Sequence, residues 1–249
     1  MGGAPKTKRH IQLTNRDLDI LEFCLEMKFA NLEQLHQKFF SKTQSGERSK
    51  SDWWARERLS LLKRHEFLSS KRVSFCGEGY YLATELAHIA LSNMRSERSF
   101  VRPLEGIDIR TFDHDRLVID ARLALEALGR AYKWRSERSL KHDSAVTSGL
   151  ARMYQPDAIY WNKHGDPMAF ELEITLKAQA RYETKIRRYV DVMRQAEGAS
   201  EGFRGVLFVT TNQSVFDMLS RLTKRHEWKF KIEKLEHLLA QLAKEREVT

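Results

Sequence analysis

Cysteine, proline and long apolar runs are all scarce in this chain of 249 residues. It contains two cysteines and four prolines. Two cysteines cannot build the disulfide framework of a small secreted protein, and no Cys/His spacing matches a zinc site. Cys24 falls on an apolar helix face, where we expect it to belong to a core. No apolar run is long enough to span a bilayer.

The amino terminus is basic and lacks the apolar segment of a signal peptide. With so few cysteines, this predicts a protein of the reducing cytoplasm with no membrane partner. The hydrophobic fraction of 41% suffices for real cores, while the charged fraction of 31% and the mean hydropathy of −0.56 indicate a soluble protein. The length suits one large or two small domains.

Positive charge is in excess. The chain has 43 Lys and Arg residues against 34 Asp and Glu residues, a formal net charge of +9. Such an excess favours an anionic partner, and nucleic acid is the commonest one. The alternative is a protein that is merely basic.

Residues 1–92 carry the pattern of three helices and a β-hairpin. Helical spacing of apolar residues predicts one helix that begins at Thr14-Asn15, a second over residues 31–40 and a third after Asp52. Alternating residues 67–75, with a return at 80–83, predict the hairpin, and a further helix begins at Thr84. This order is typical of a winged helix-turn-helix, whose third helix enters the major groove while the hairpin, or wing, contacts the backbone.

Exposed basic residues on the third helix and the wing are the DNA contacts that this interpretation predicts. A solvated charged face is the alternative. Trp53 and Trp54 are expected in a core or an interface rather than as base-stacking platforms. The predicted contacts are Arg56, Lys63, Arg64, Lys71 and Arg72, with Arg48 and Lys50 nearby.

Residues 93–107 are predicted to be a linker, and residues 108–249 a second domain. Asp113 can cap a helix that Gly129 stops. Strands are expected near 132–137, 157–161 and 170–175, followed by a long helix over 176–196 and a strand at 205–211 that is buried on both faces. A helix over 214–225 and a strand or helix around 228–232 complete the chain. We therefore predict an α/β fold, α+β overall, with a mixed sheet flanked by helices.

Three acidic residues mark the two middle strands of that domain. Asp157 follows Pro156 at the start of one apolar run, and Glu171 and Glu173 alternate with apolar residues in the next. Alternate residues of a strand share a face, so a hairpin brings Asp157 toward both glutamates. Clustered carboxylates repel unless a cation or protons intervene, and hard oxygen ligands suit Mg²⁺ or Mn²⁺.

This arrangement resembles the PD-(D/E)xK nuclease superfamily, whose core motif is Pro-Asp, a hairpin, and acid-x-Lys. Pro156, Asp157 and Glu171 match the motif, whereas Glu173 stands at the lysine position. Some restriction enzymes with Glu at that position still cut, and in other members the same change accompanies loss of activity. The resemblance implies a restriction-endonuclease-like sheet and a nuclease-like site. Lys177 is a candidate replacement for the lysine.

The long helix carries a basic stripe beside an apolar one. Lys177, Arg181, Lys185 and Arg188 are spaced to share one face, which begins four residues beyond Glu173. The stripe is therefore a candidate path for a phosphate backbone, with plain surface charge as the alternative. The neighbouring apolar stripe, expected to pack on the sheet, consists of Tyr182, Ile186, Tyr189 and Met193.

Nearly the whole chain is similar to the replication-relaxation family, which includes mobilisation relaxases of the MobC type. The similarity lies in the winged-helix half and in a set of later positions. It implies a DNA-binding winged helix joined to a nuclease-like domain, and in one branch of the family the protein nicks plasmid DNA at a transfer origin. The later positions are His114-Asp115, Leu117, Trp134, Glu137, Pro156-Asp157-Ala158, residues 170–177, Arg181-Tyr182 and Lys185.

For a nuclease, the predicted catalytic set is Asp157, Glu171, Glu173, Lys177 and Glu137. Asp157 and Glu171 would bind Mg²⁺ or Mn²⁺, with Glu173 as a third ligand or as the base that orients water. Glu137, placed on the preceding strand, or Glu126 would add a further acid. His114 is either a phosphate contact or simply a residue at the start of a helix.

Two rival functions stay open at this point. One is a non-catalytic winged-helix regulator or replication accessory with a degenerate nuclease fold, and the other is a subunit that cuts only with a partner. Candidate partners are double-stranded DNA, including a transfer origin, accessory mobilisation proteins, and a second copy of the chain. Tyr182 and Tyr189 are candidates by type for a covalent DNA link, although they fit the packing face better.

Overall fold

The computed structural model describes residues 11–42, 49, 51–73, 76–143, 155–195 and 203–248. Within these ranges the chain forms nine α-helices, a three-stranded antiparallel sheet and a five-stranded mixed sheet. The predicted mixed α+β class is confirmed. None of the helices in the described ranges combines the length and the apolar character that a membrane crossing requires.

The amino-terminal part contains three helices followed by a hairpin, in the predicted order. The two strands of the hairpin pair antiparallel, and a short strand that was not predicted joins the second of them. Residues 74 and 75, the end of the predicted first wing strand, lie outside the described residues. The elements are α1 (Asn15–Glu26), β1 (Ala30–Asn31), α2 (Leu32–Phe39), α3 (Trp53–Arg64), β2 (Leu68–Arg72), β3 (Gly79–Ala83) and α4 (Glu85–Met94).

Local hydrogen bonds explain where these helices begin. Thr14 caps α1 in a capping box, because its side chain accepts the Asp17 backbone N–H while the Asp17 carboxylate accepts from Thr14. Asn31 and Gln34 form the same reciprocal pair at the start of α2. Asp52 occupies the N-cap position of α3, but its side chain makes no capping hydrogen bond, because its carboxylate pairs with Arg56 one turn later.

The carboxy-terminal part has the predicted order of helix, three strands, helix and strand. A short helix follows the first strand, and the uncertain segment near residue 230 is a strand. The final helix was not predicted. The elements are α5 (Phe112–Ala127), β4 (Tyr132–Ser136), α6 (Glu137–His142), β5 (Ala158–Trp161), β6 (Pro167–Glu173), α7 (Gln179–Gln195), β7 (Gly205–Thr210), α8 (Gln213–Thr223), β8 (Phe230–Lys234) and α9 (Leu235–Val248), with a short 3₁₀ helix over Lys224–His226.

Two glycines fix the ends of these elements. Gly129 follows the last turn of α5 with φ +62°, a left-handed conformation that glycine adopts without strain, so the predicted stop is confirmed. The same helix begins at Phe112 rather than after Asp113, which lies inside its first turn. Gly205 begins β7 where a Cβ atom would lie 3.0 Å from the carbonyl oxygen of Lys229. Only glycine lets these two backbones approach so closely.

The five-stranded sheet has the order β4-β5-β6-β7-β8. The first three strands pair antiparallel, and β6, β7 and β8 run parallel. Every residue of β7 is buried, as expected for a central parallel strand. This topology places the start of β5 beside the carboxyl end of β6, where the acidic residues lie.

Two hydrophobic clusters pack on the two faces of the sheet. One contains residues of α7 and α8 with Ala169, Val206 and Phe208. The other contains Phe170 and Leu172 and continues without a break through α5 into the amino-terminal helices. Phe112 shows this continuity, since its ring lies 5.5 Å from that of Phe29 and 5.1 Å from that of Tyr80.

The predicted linker contributes to this packing. Phe100 and Val101 lie within residues 93–107, and both are buried members of the shared cluster. Cys24 is buried in the same cluster, as predicted. The division into domains at residues 1–92 and 108–249 stays a prediction, and the described residues on both sides of the boundary form one core.

We predict that Asp17→Ala lowers the free energy of unfolding by about 3 kcal/mol. The Asp17 carboxylate is fully buried, accepts from Arg58 at 2.7 Å and completes the capping box of α1, so the substitution leaves a guanidinium unpaired and a helix uncapped. Urea unfolding followed by far-UV circular dichroism measures the change.

Asp52→Ala is the matched control. It breaks another Asp–Arg pair, but both side chains of that pair are exposed, so we expect the urea midpoint to stay at the wild-type value. Equal losses for the two variants would contradict this account of the Asp17 pair.

Candidate active site

The β5–β6 hairpin brings Asp157 to Glu171. Ala158 pairs with Phe170 in the antiparallel ladder, so the preceding residue, Asp157, faces the following one, Glu171. One oxygen of Asp157 accepts a hydrogen bond of 2.8 Å from the backbone N–H of Leu172. Asp157 is thereby fixed at the start of β5, next to the carboxyl end of β6.

Glu171 and Glu173 project from the same face of β6 and are both buried, with exposed fractions of 3% and 1%. Lys185 of α7 lies between them. Its ammonium is 2.9 Å from Glu171 Oε2 and 2.6 Å from Glu173 Oε1. Buried carboxylates are costly without a cation, and this single lysine compensates both.

A second hydrogen-bond donor reaches each glutamate. The hydroxyl of Tyr189 donates to Glu171 Oε1 at 2.6 Å, and the ammonium of Lys177 lies 2.6 Å from Glu173 Oε2. Lys177 remains partly exposed in the loop before α7, whereas Lys185 is turned inward. Both lysines of the predicted stripe therefore contact the acids, and only Lys185 contacts the two glutamates together.

The surroundings of Glu171 favour its protonated form. Burial and the nearby charge of Asp157 raise the pKa of Glu171 to about 7, although Lys185 and Tyr189 oppose the shift. Titration near neutrality is a common property of carboxyl groups that take part in acid–base chemistry.

A chain of polar contacts connects Asp157 to the amino-terminal part. His114, in the first turn of α5, lies with Nε2 3.2 Å from Asp157 Oδ2. The next residue, Asp115, accepts from Lys28 at 2.6 Å. His114 therefore contacts an acid of the site, which neither sequence interpretation of this histidine foresaw. No sequence pattern links Lys28 to Asp115, because 87 residues separate them.

These polar contacts keep His114 and Asp157 charged. Burial by itself would lower the pKa of His114, but hydrogen bonds to Asp115 and Asp157 and their charges raise it to about 10. Burial would likewise raise the pKa of Asp157, yet His114 and the Leu172 N–H hold it below its usual value. A small cavity of about 30 Å³ lies beside these side chains, and Met27 and Lys28 also line it.

The two further acids considered from the sequence lie elsewhere than expected. Glu137 is not on β4 but begins α6, where its carboxylate pairs with Lys141. Its backbone N–H does bond the carbonyl oxygen of Asp157 at 2.8 Å. Glu126 pairs with Lys38 and Arg122, so it is engaged in a separate ion-pair network on α5.

Within the described ranges, no three His, Cys, Asp or Glu side chains converge in a way that could hold a metal ion. Glu173 does not join Asp157 and Glu171 as a third ligand, because Lys177 and Lys185 occupy its two oxygens. Asp157 and Glu171 remain as adjacent hard oxygen donors. Magnesium or manganese binding stays a prediction.

Arg181, Lys185 and Arg188 line one open groove of about 410 Å³ on α7, together with Ala180 and Thr184. Arg181 and Arg188 are exposed, while Lys185 points from the groove toward the carboxylates. The neighbouring apolar stripe packs against the sheet as predicted, since its four members are all buried.

Basic residues of α3 and the hairpin are exposed, as the DNA-binding interpretation requires. Arg48 and Lys50 lie outside the described residues. Trp53 and Trp54 were expected in a core or an interface; a core is wrong, because 53% and 67% of these residues are exposed, and an interface stays a prediction. The exposed basic residues are Arg56, Lys63, Arg64, Lys71 and Arg72.

Comparison with known proteins gives one match. The family model described as Replication-relaxation matches residues 21–207, three quarters of the chain. This range includes α3, the hairpin, and Asp157, Glu171, Glu173, Lys177 and Lys185 of the candidate site. No curated protein and no solved structure matches the chain.

We predict that His114→Gln changes the pH dependence of stability. The pKa of His114 rises from 6.5 unfolded to about 10 folded, so its contribution is complete below pH 6.5 and is lost as the pH rises to 10. In buffer with a chelator, the free energy of unfolding of wild type should exceed that of the variant by on the order of 2 kcal/mol at pH 6. This difference should shrink as the pH rises to 10. Urea unfolding at several pH values measures it.

His237→Gln, which changes an exposed histidine of α9, is the control and should retain the wild-type profile. A difference between wild type and His114→Gln that stays constant from pH 6 to pH 10 would contradict the charged His114–Asp157 pair.

Proposed function

The chain belongs to the replication-relaxation family, and from this premise we propose that it is a metal-dependent DNA endonuclease that nicks one strand. Membership in the family indicates a role in the replication or mobilisation of plasmids or other mobile elements. Nicking is the reaction that fits such a role, because it starts strand transfer or relaxation without breaking the duplex.

The observation that carries this proposal is the contact of Lys185 with Glu171 and Glu173 beside Asp157. Acid, acid and lysine at the end of a hairpin is the combination of the PD-(D/E)xK nucleases, in which the lysine usually stands on the strand. In this chain Glu173 occupies that strand position, and the ammonium of Lys185 reaches Glu171 and Glu173 from α7. The substitution of Glu for Lys therefore does not remove the positive charge from the centre.

The donor chemistry at Asp157 and Glu171 suits a divalent cation. Two adjacent carboxylates, one with a pKa raised to about 7 by burial and by its neighbour, are stabilised by Mg²⁺ or Mn²⁺. In such a site a bound metal ion lowers the pKa of water and stabilises charge on a phosphate. Asp157 and Glu171 are the residues that would hold it.

Other side chains have distinct tasks in this proposal. Glu173 holds the ammonium groups of Lys177 and Lys185 in place, and Lys185 stabilises the charge that develops on the scissile phosphate. His114 holds Asp157 in place through its 3.2 Å contact. Arg181 and Arg188 line a groove together with Lys185 and hold neighbouring phosphates.

We also propose that the amino-terminal part is a winged-helix module that binds duplex DNA. Three helices followed by a hairpin, with exposed Lys63 and Arg64 on the third helix, support this role. The module packs against α5, so it would hold DNA at a fixed position relative to the acids.

The second candidate function is a DNA-binding regulator or replication accessory without catalysis. Lys177, Lys185 and Tyr189 already compensate both glutamates, and that observation favours a centre whose ion pairs are purely structural. This candidate needs the basic surfaces but not the metal ion.

We predict that wild-type protein converts supercoiled plasmid into open circles with Mg²⁺ or Mn²⁺. Asp157→Asn and Glu171→Gln should nick at least about 100-fold more slowly, because each removes a charged ligand while retaining the shape of the side chain. Agarose electrophoresis over time measures nicking, and a gel-shift assay on the same samples measures DNA binding.

Asp191→Asn, which changes an exposed carboxylate on α7, is the matched control and should nick at the wild-type rate. If all four proteins retard DNA equally and none nicks it, the result contradicts a self-sufficient nuclease and supports the non-catalytic candidate. Metal binding without nicking would instead indicate a subunit that needs a partner.

A further inference from the structure

Two adjacent tryptophans are exposed at the start of α3. Trp53 and Trp54 have exposed fractions of 53% and 67%, and their rings contact each other edge to face, 4.5 Å apart between centroids. Tryptophan is highly buried on average, and an exposed aromatic pair is typical of a contact surface. The pair lies far along the sequence from the acids of the candidate active site.

Trp53 shares a helix face with a basic residue. Trp53, Ser60 and Arg64 are spaced by seven and eleven residues, so they lie on one side of α3, and the exposed Lys63 precedes Arg64 in the last turn. The helix carries four basic residues and one acidic residue, Glu57. An aromatic contact and positive charge therefore occur together on one exposed surface.

Part of the charge on α3 is not compensated. Among the described residues, Lys63 and Arg64 have no ion-pair partner, and the same holds for Lys71 and Arg72 of the hairpin. By contrast, Arg58 pairs with Asp17 and Arg56 pairs with Asp52. A surface of this sign is complementary to a polyanion, and this argues against an uncharged or basic protein partner.

We propose that Trp53 and Trp54 stack on the bases of unpaired DNA, while Lys63 and Arg64 bind the phosphates beside them. The partner is thus a single-stranded or locally melted segment. The inference rests on the proposed function only in taking DNA as the partner, and it requires neither the metal ion nor cleavage.

Base stacking explains why unpaired DNA is preferred to duplex. In a duplex, base faces are covered by neighbouring base pairs, and the major groove presents only base edges. An indole ring gains most from the open face of an unstacked base, and aromatic platforms beside positive charge are the usual means of binding single strands. Two tryptophans can engage two bases.

The test compares DNA forms and variants by fluorescence anisotropy with labelled oligo(dT), a fully paired duplex, and the same duplex with an internal bulge. Without divalent metal, wild type should bind the bulged duplex more tightly than the paired one. Trp53→Ala/Trp54→Ala should weaken binding to oligo(dT) and to the bulge by roughly 10- to 100-fold, while leaving the paired duplex nearly unchanged.

Two controls separate stacking from charge and from folding. Trp228→Ala changes another exposed tryptophan and should affect no DNA form. Lys63→Ala/Arg64→Ala should weaken binding to all forms alike and reduce the salt dependence. Because both tryptophans of α3 are exposed, thermal unfolding of the double variant should match wild type.

Three results would overturn the inference. Equal affinity of wild type for the paired and the bulged duplex would overturn the inference and leave the proposed function intact. A double variant that loses affinity for all DNA forms equally would have the same consequence. A wild type that self-associates, with a monomeric double variant and unchanged DNA binding, would assign the tryptophans to a protein interface. Failure of wild type to bind any DNA would instead refute the proposed function.

Discussion

The contact between Lys185 and two buried glutamates is the constraint on which the rest of the site depends. Glu171 and Glu173 alternate with apolar residues on a strand in the middle of a five-stranded sheet, so they cannot reach bulk water. Two such carboxylates without a cation would oppose folding. The register of α7 on the sheet must therefore hold Lys185 over β6, and the buried Tyr189 one turn later fixes that register through its bond to Glu171.

Asp157 is held in place by the hairpin and by α5. The hairpin brings it to Glu171, while His114 of α5 holds it from the face of the sheet that packs on the amino-terminal helices. Through Asp115 and Lys28, this contact extends to the turn after α1. Asp157 therefore lies at the junction of the two parts of the chain, and a shift of one part relative to the other would alter its position.

Much of the fold could be predicted from the sequence because local rules governed it. Thr14 begins α1 through its capping side chain, Gly129 ends α5 through its left-handed backbone, and the β-branched run at β7 indicates a buried strand. Strand alternation likewise placed Glu171 and Glu173 on one face.

The inward orientation of the Lys185 side chain was not predictable in this way, because helical spacing groups Lys185 equally well with the exposed Arg181 and Arg188. The contact from Lys28 to Asp115 depends on tertiary packing alone. The exposure of Trp53 and Trp54 runs against their hydrophobicity, and only the packing of α3 revealed it.

The most direct test of the central claim is manganese binding measured by electron paramagnetic resonance, with wild type compared with Asp157→Asn. If the carboxylates form a catalytic centre, wild type should bind one Mn²⁺ and the variant should lose that site, with both proteins equally folded. Failure of wild type to bind Mn²⁺ at millimolar concentration, or equal binding by the two proteins, would contradict the claim. The ion pairs of Lys185 would then serve only to stabilise the fold.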